Sequence, residues 1–274
     1  MEILTSIIMG LVEGITEFLP ISSTGHLIVA GHLLGFDDMV GKDVADAYEI
    51  IIQLGAILAV VAAYPGRFVG LLRFRENRGF AGLHGIFLLV ITSLPAALLG
   101  LAARGYIKRN LFSPTTVAAG LAVGAVWILL TERLRPRARK EGIDALTWRE
   151  ALGVGLFQCL SLWPGMSRSA ATILGGMTCG IERKTATEYS FFAAVPIMIA
   201  ATCYELYKSY GILNASHVTM LAVGFVVSFI SAWAAVKVFI HFLSHHTLLP
   251  FGWYRLAVAA LVAALVLGGV LTSV

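Results

Sequence analysis

The sequence predicts an all-α polytopic membrane protein, an inverted-topology repeat with six transmembrane helices and two re-entrant helix pairs. Three observations lead to this prediction: an apolar composition, long runs without charge, and a broken apolar region in each half of the chain. Of the 274 residues, 58% are hydrophobic and 13% are charged, and the mean hydropathy is +0.84. Soluble domains carry about 25% charged residues, so soluble and disordered proteins are excluded.

Six apolar runs are long enough to cross about 30 Å of hydrocarbon as helices. They cover residues 48–64, 86–103, 115–131, 189–207, 218–240 and 253–272. Aromatic residues at several of their ends favour anchoring at the membrane interface.

Two other apolar regions, 3–36 and 152–181, are interrupted by proline and serine clusters. The first cluster is Leu-Pro-Ile-Ser-Ser-Thr-Gly-His at 19–26, and the second is Trp-Pro-Gly-Met-Ser-Arg-Ser at 163–169. Each half of these regions is too short to span the membrane, and open backbone at membrane depth must be covered by protein or a water-filled cavity. Each region is therefore predicted to form a re-entrant helix pair.

A single membrane domain with two repeats is predicted, the first over residues 1–136 and the second over 147–274. Two pairs of short segments match in order: 10–13 with 155–158, and 20–23 with 164–167. Each broken region precedes three spans, so the second region enters from the face opposite the first, which makes the repeat inverted. Such folds place their sites near the midplane, where the broken helices of the two halves meet.

Basic residues are distributed unevenly between the two predicted faces. One face carries Arg67, Arg73, Arg75, Arg78, Arg133, Arg135, Arg137, Arg139, Lys140, Arg183 and Lys184, and the other carries Lys42, Arg104, Lys108, Arg109 and Lys208. The richer face is expected to be cytoplasmic, so both termini and the mouth of the first re-entrant pair would face outward. Because topology explains the net charge of +4, no nucleic-acid partner is expected.

Glu13 and Glu17 lie four residues apart and share one face of an otherwise apolar helix. Carboxylates near the membrane interior are costly unless they are used. One interpretation is an interfacial helix whose acids point to water. The sharper one is a divalent cation, Mg²⁺ or Ca²⁺, held by both carboxylates together with phosphate oxygens of a substrate.

Three hydroxyl residues, Ser22, Ser23 and Thr24, follow the first break and can cap the next helix. Gly25 would let a ligand approach the backbone closely. A cap needs one hydroxyl, so three hydroxyls followed by His26 at membrane depth indicate a binding or catalytic site.

The second break places Arg168 between Ser167 and Ser169, with Thr172 one turn later. An arginine at membrane depth requires an anion, and one alternative is an ion pair with either glutamate of the first region. A phosphate fits better, because guanidinium offers forked donors and the half-helix N-termini add backbone N–H groups. Acids, cation, arginine, hydroxyls and histidine together indicate phosphoryl chemistry.

Ser23 is the predicted nucleophile, and His26, three residues further on, is its predicted general base. Three alternatives remain open: His26 as the direct nucleophile, a metal-activated water, and Ser23 as a helix cap only. Gln53 and Gln158 are further candidates for orienting the substrate.

Residues 13–26, and 164–169 with Thr172, resemble the two signature motifs of bacterial undecaprenyl-diphosphate phosphatases, the bacitracin-resistance family. Segments 48–55 and 157–165 are also similar, and the resemblance covers nearly the whole chain. It implies hydrolysis of a polyisoprenyl diphosphate, the C55 lipid, to the monophosphate and inorganic phosphate at the outer face of the bacterial plasma membrane. That reaction recycles the lipid carrier of cell-wall synthesis.

A transporter or flippase for a phosphorylated isoprenoid lipid is the alternative function, because inverted repeats with broken helices are common in transporters. A carrier needs a charge clamp such as Arg168 but has less need for paired acids beside Ser23 and His26, which favours the enzyme. Gly10 and Gly14 allow close helix contact, so a homodimer is possible from the sequence.

Overall fold

A computed structural model describes residues 2–75, 78–111, 113–134, 136–209, 211 and 217–271. This part of the chain folds into α-helices joined by short turns. The helices are α1 (Glu2–Thr16), α2 (Ser23–Leu33), α3 (Phe36–Val40), α4 (Lys42–Ala63), α5 (Pro65–Leu71), α6 (Gly82–Asn110), α7 (Pro114–Leu134), α8 (Trp148–Gln158), α9 (Arg168–Thr178), α10 (Arg183–Ser209), α11 (Val218–Leu243) and α12 (Leu249–Leu267). Short 3₁₀ turns cover Ile143–Ala145 and Cys159–Leu162.

Six of the described helices are long and apolar enough to cross a membrane: α4, α6, α7, α10, α11 and α12. They are the six predicted spans, and the all-α polytopic membrane class is confirmed. The helices extend beyond several predicted ends, because polar residues continue the helix where hydropathy falls. Helix α12 begins early at Leu249, since a proline in the first turn has no N–H to leave unpaired. Position 272, the predicted end of the last span, lies outside the described residues.

Both broken regions form pairs of short helices, in which α1 packs against α2 and α8 packs against α9. Each second helix begins after a serine with a left-handed backbone, at φ 73° for Ser22 and φ 72° for Ser167. The two serine side chains cap their helices by accepting hydrogen bonds from Gly25 N–H and Ala170 N–H. The two turns therefore share one local geometry, while the re-entrant path and the inverted relation of the halves stay predictions.

The backbone geometry corrects the sequence match between the two turns. The sequence match aligned Ser23 with Ser167. The two left-handed capping residues are instead Ser22 and Ser167, so the residue of the second turn that is equivalent to Ser23 is Arg168. The second turn has one more residue between its proline and its cap, and it includes Gly165 at φ +90°. The nucleophile candidate and the arginine thus occupy the same position, the first residue of their helices.

Close packing of α1 against α11 explains the glycines of the first helix. A Cβ on Gly10 would lie 2.7 Å from the Gly224 carbonyl oxygen, and one on Gly14 would overlap the Ser231 hydroxyl. Both glycines therefore pack against α11 of the same chain, and they give no support to the homodimer that the sequence left possible.

The loops assigned to the arginine-rich face do meet one another. Arg67 forms an ion pair with Asp144 at 2.9 Å, and Arg183 forms one with Glu132 at 2.6 Å. The Arg139 N–H donates to the Gly180 carbonyl at 2.8 Å. The turns after α4, α7 and α9 consequently lie on one face, as the loop charge predicts.

Asp144 gives this face a pH-dependent contribution to stability. Burial alone would raise its pKa, but hydrogen bonds from the Phe80 N–H and from Arg67 outweigh burial and lower the pKa below the usual 3.8. A lowered pKa stabilises the folded state above the usual value, and this stabilisation is lost as the pH falls through the folded pKa.

We therefore expect the Asp144→Asn variant to unfold at a lower temperature than the parent near pH 7, and this difference to shrink as the pH falls below the usual pKa of 3.8. Thermal unfolding in detergent from pH 3 to 7 measures the difference, with the exposed Glu141→Gln as the matched control. A difference that does not change with pH would show that Asp144 acts without its charge.

Candidate active site

Glu17 joins the two broken regions. Its carboxylate accepts a hydrogen bond from Ser23 Oγ at 2.5 Å and another from Arg168 Nη2 at 2.8 Å. Both Glu17 and Ser23 are buried. Three residues that the sequence predicts as catalytic are thus in direct contact, although Glu17 and Arg168 are 151 positions apart.

Arg168 is held by several groups but keeps one donor unused. Its Nη1 donates to the Ser190 carbonyl at 3.2 Å, and its guanidinium carbon lies 5.5 Å from the centre of the Phe18 ring. The ion pair with Glu17, considered from the sequence as an alternative to phosphate binding, is present. The buried Nε–H, however, has no hydrogen-bond partner among the described residues, and an unpaired buried donor is costly. An anion at this position would remove that cost.

Glu13 lies one turn before Glu17 and is completely buried. Neither carboxylate oxygen of Glu13 has a hydrogen-bond partner in the described part of the chain, and its neighbouring acids are Glu17 and Glu49. A buried carboxylate without a partner is strongly unfavourable as an anion. A cation shared with Glu17, or a proton, would compensate for it.

The acids fit Mg²⁺ or Ca²⁺ as a cation that binds together with substrate. Within the described ranges there is no group of three His, Cys, Asp or Glu residues that could hold a metal ion by itself. Mg²⁺ commonly binds through one or two carboxylates, with water and phosphate oxygens completing its shell. Glu13 and Glu17 would supply those carboxylates, while zinc would require more histidine or cysteine ligands.

The hydroxyl groups of α9 are used mainly to hold the turns together. Ser169 Oγ donates to the Leu19 carbonyl at 2.7 Å and lies 3.0 Å from Ser167 Oγ. Thr172 Oγ1 donates to the Arg168 carbonyl at 2.9 Å and lies 2.6 Å from Ser190 Oγ. These contacts fix α9 against the first turn and against α10. Direct contact of these hydroxyls with phosphate stays a prediction.

The first turn carries backbone strain at the site. Ser22 has a left-handed conformation that costs a residue other than glycine about 1–3 kcal/mol, and such strain is concentrated at functional sites. Thr24 is half-exposed in the first turn of α2. A side chain at position 25 would point toward α7, because a Cβ on Gly25 would lie 3.4 Å from Leu121 of that helix.

His26 does not contact the Ser23 hydroxyl through any described hydrogen bond. Its Nδ1 lies 2.7 Å from the Ser22 carbonyl, which can only accept, so Nδ1 carries a proton. Its Nε2 lies 2.8 Å from the Tyr254 hydroxyl, and the two rings are stacked. The predicted Ser23–His26 pair is therefore not formed in this structure, because the turn brings Glu17 to Ser23 instead.

The two glutamines lie outside this cluster of hydrogen bonds. Gln158 is buried and donates to the Thr92 carbonyl at 3.4 Å, and its Oε1 has no partner among the described residues. Gln53 is half-buried on α4. Their predicted role in orienting substrate stays a prediction.

The match of this chain to a known family covers both turns, five of the six spans and the first part of α12. The family described as "Bacitracin resistance protein BacA" matches residues 6–261. This chain belongs to the BacA family. Undecaprenyl-diphosphatase from Nitratidesulfovibrio vulgaris is 58% identical over 261 residues, 95% of this chain and 97% of its own. The undecaprenyl-diphosphatase of Maridesulfovibrio salexigens is 56% identical over the same shares, and that of Lawsonia intracellularis is 47% identical over 258 residues.

Sequence reasoning missed three residues around this BacA-family site: Ser190, Tyr254 and Arg255. Ser190 contacts both Arg168 and Thr172, and Tyr254 contacts His26. Arg255 contacts both turns of the site. An arginine within the last apolar span was a usable signal, since charged residues at membrane depth are rare without a function.

Proposed function

We propose that this protein hydrolyses undecaprenyl diphosphate to undecaprenyl phosphate and inorganic phosphate, which recycles a lipid carrier of cell-wall synthesis. The observation that carries the proposal is the Glu17 cluster. In this cluster a serine hydroxyl donates a hydrogen bond to a carboxylate, and an arginine that also donates to that carboxylate keeps one N–H unused. A second buried carboxylate has no hydrogen-bond partner among the described residues. The names of the relatives, undecaprenyl-diphosphatase, agree with this chemistry.

Ser23 attacks the terminal phosphorus of the diphosphate in the mechanism that we favour. Its hydroxyl proton passes to Glu17, which lies 2.5 Å away, as the oxygen–phosphorus bond forms. The bridging phosphorus–oxygen bond breaks, Glu17 gives its proton to the bridging oxygen, and undecaprenyl phosphate leaves. Water then attacks the phosphoserine and gives one proton to Glu17, the serine–phosphorus bond breaks to release phosphate, and Glu17 returns that proton to the serine oxygen.

Charge at the phosphoryl group is stabilised by Arg168 and by the N-termini of α2 and α9. Arg168 offers its free Nε–H, and the first-turn N–H groups of each helix have no helical partner. A divalent cation would neutralise the diphosphate and orient its leaving group. Glu13 and Glu17 would hold that cation together with substrate oxygens. His26 remains a candidate proton donor or acceptor through Nε2.

An enzyme is favoured over a transporter because Ser23 is hydrogen-bonded to an acid. A carrier needs to hold and release the phosphates, for which Arg168 suffices. It has no need for a hydroxyl whose proton can be removed by a neighbouring carboxylate. Nothing in the described contacts favours the carrier.

The test is phosphate release by the purified protein in detergent from undecaprenyl diphosphate. We expect release from the parent, loss of release in saturating chelator, and recovery when Mg²⁺ or Ca²⁺ is restored. The exposed Glu141→Gln should behave as the parent does. A folded parent that releases no phosphate with either cation would overturn the proposed function, and full activity in chelator would overturn only the cation.

We further propose that the protein lies in the bacterial plasma membrane with its arginine-rich face in the cytoplasm and the site opening outward. The contacts of Arg67 with Asp144 and of Arg183 with Glu132 support one shared basic face, and positive loops favour the cytoplasm.

This orientation predicts where an impermeant thiol reagent reacts. After Cys159, Cys179 and Cys203 are replaced, Asn110→Cys should be labelled from outside the cell, and Ala138→Cys should be labelled only after the cells are opened. The reverse pattern would overturn the orientation.

A further inference from the structure

Arg255 of α12 is completely buried and uses every N–H of its guanidinium. A guanidinium has five N–H donors, and the described partners of Arg255 are five backbone carbonyls. Nε donates to Leu121 at 3.3 Å, Nη1 to Pro20 and Met166 at 3.0 Å each, and Nη2 to Gly120 at 3.1 Å and Gly165 at 2.9 Å.

The five carbonyls come from three separate segments. Pro20 belongs to the first turn, Gly165 and Met166 belong to the second, and the remaining two lie on α7. Carbonyls in such turns lack helical partners, and within a membrane protein they must find donors inside the protein. One guanidinium therefore satisfies both turns at once and attaches them to the same helix.

The packing around the guanidinium is close. A Cβ on Gly124 would overlap Arg255 Nη2, and a Cβ on Gly120 would overlap the Pro164 carbonyl oxygen. A smaller or shorter cation could not reach five carbonyls arranged around a planar fork. The described hydrogen-bond partners of Arg255 are all carbonyl oxygens, and none of them is a carboxylate.

We infer that Arg255 is a positioning residue that sets the distance between the two turns of the site. Pro20 lies three residues before Ser23, and Met166 lies two residues before Arg168. The contacts that cross between the turns, Arg168 with Glu17 and Ser169 with Leu19, need these turns in register. Arg255 itself donates to no side chain of the proposed catalytic group, so it acts through the backbone. The kinetic part of this inference rests on the proposed function.

The first test replaces Arg255 by lysine and by methionine. In folded protein we expect kcat to fall about 100-fold, the cost of a misplacement of about 1 Å, while KM changes little, because the phosphate-binding groups remain. Arg183→Lys is the matched control, because Arg183 begins α10 and forms a partly buried ion pair with Glu132. It should lower the unfolding temperature without changing kcat per folded molecule. If the Arg255 variants gave less folded protein but each folded molecule kept the kcat of the parent, the inference would be overturned.

A double-mutant cycle with Gly124→Ala separates a displaced guanidinium from a general loss of stability. The added methyl group should push the guanidinium away from the carbonyls and lower kcat in the parent. In the Arg255→Met background it should have much less effect, because the guanidinium is absent. Gly105→Ala, where a Cβ meets nothing within 4 Å, is the control. Effects of Gly124→Ala that are equal in both backgrounds would contradict the proposal.

Amide hydrogen exchange gives a readout that does not depend on activity. We expect Arg255→Met to increase exchange in both turns, residues 17–25 and 163–170, and Arg183→Lys to leave both unchanged. Unchanged exchange at both turns in folded Arg255→Met would overturn the inference even if the protein proved to have another activity. A parent that releases no phosphate would reject the proposed function, and the exchange result would still decide the role of Arg255.

Discussion

Replacing Arg168 by alanine is expected to lower kcat/KM for undecaprenyl diphosphate by about 1000-fold in folded protein. The change removes the free Nε–H that is available to phosphate and also the 2.8 Å ion pair with Glu17. Arg168→Lys keeps the charge but cannot reach Glu17, the Ser190 carbonyl and a phosphate together, so we expect a loss of about 100-fold.

Phosphate release at several substrate concentrations measures both variants, with Arg149→Ala as the control for loss of an arginine away from the site. Thermal unfolding in the same detergent shows whether the variants are folded. If folded Arg168→Ala hydrolysed substrate at the parent rate, Arg168 would be structural. The predicted phosphate contacts of Ser167, Ser169 and Thr172 would then lose their basis as well.

Glu17→Gln is expected to lower kcat by about 1000- to 10,000-fold at saturating cation. An amide in place of the carboxylate can still accept the hydrogen bond from Ser23 but cannot take its proton, and proton transfer by a placed base contributes about 10²–10⁴-fold. The amide also leaves Arg168 without its anion. Glu13→Gln differs, because Glu13 has no described hydrogen-bond partner to lose. Its main effect should be a higher cation concentration for half-maximal activity.

Rates measured over a range of Mg²⁺ concentrations distinguish the two variants. We expect Glu13→Gln to recover part of its activity at high Mg²⁺ and Glu17→Gln to remain inactive there. Recovery of Glu17→Gln to the parent rate would exclude it as the base. If Glu13→Gln showed the parent's cation dependence, Glu13 would not be a ligand.

Much of the fold could be predicted from the sequence, because its signals are local. The six spans follow from hydropathy over windows of a single helix. The two turns follow from prolines and serines that interrupt apolar runs, and Ser22 and Ser167 do cap the helices that follow. Glu17 and Arg168 were recognisable since charged residues at membrane depth are costly unless used.

The partner of Ser23 could not be predicted from helical spacing. Spacing relates Ser23 to His26 on the same helix, but the left-handed backbone at Ser22 reverses the chain and brings Glu17 to the hydroxyl. The sequence marks Arg255 as a charge within an apolar span, but its partners were equally hidden, because they are backbone carbonyls up to 235 positions away that carry no side-chain signature. Contacts made by backbone atoms across turns leave little trace in residue type.

A phosphoenzyme trapped on Ser23 would test the proposed mechanism most directly. Purified protein is mixed with undecaprenyl diphosphate that carries a labelled terminal phosphate, quenched within one turnover, and digested to locate the label. We predict an acid-stable phosphoserine at position 23 that is absent from Ser23→Ala. An acid-labile label on His26 would contradict the mechanism, as would no label together with direct entry of solvent oxygen into phosphate.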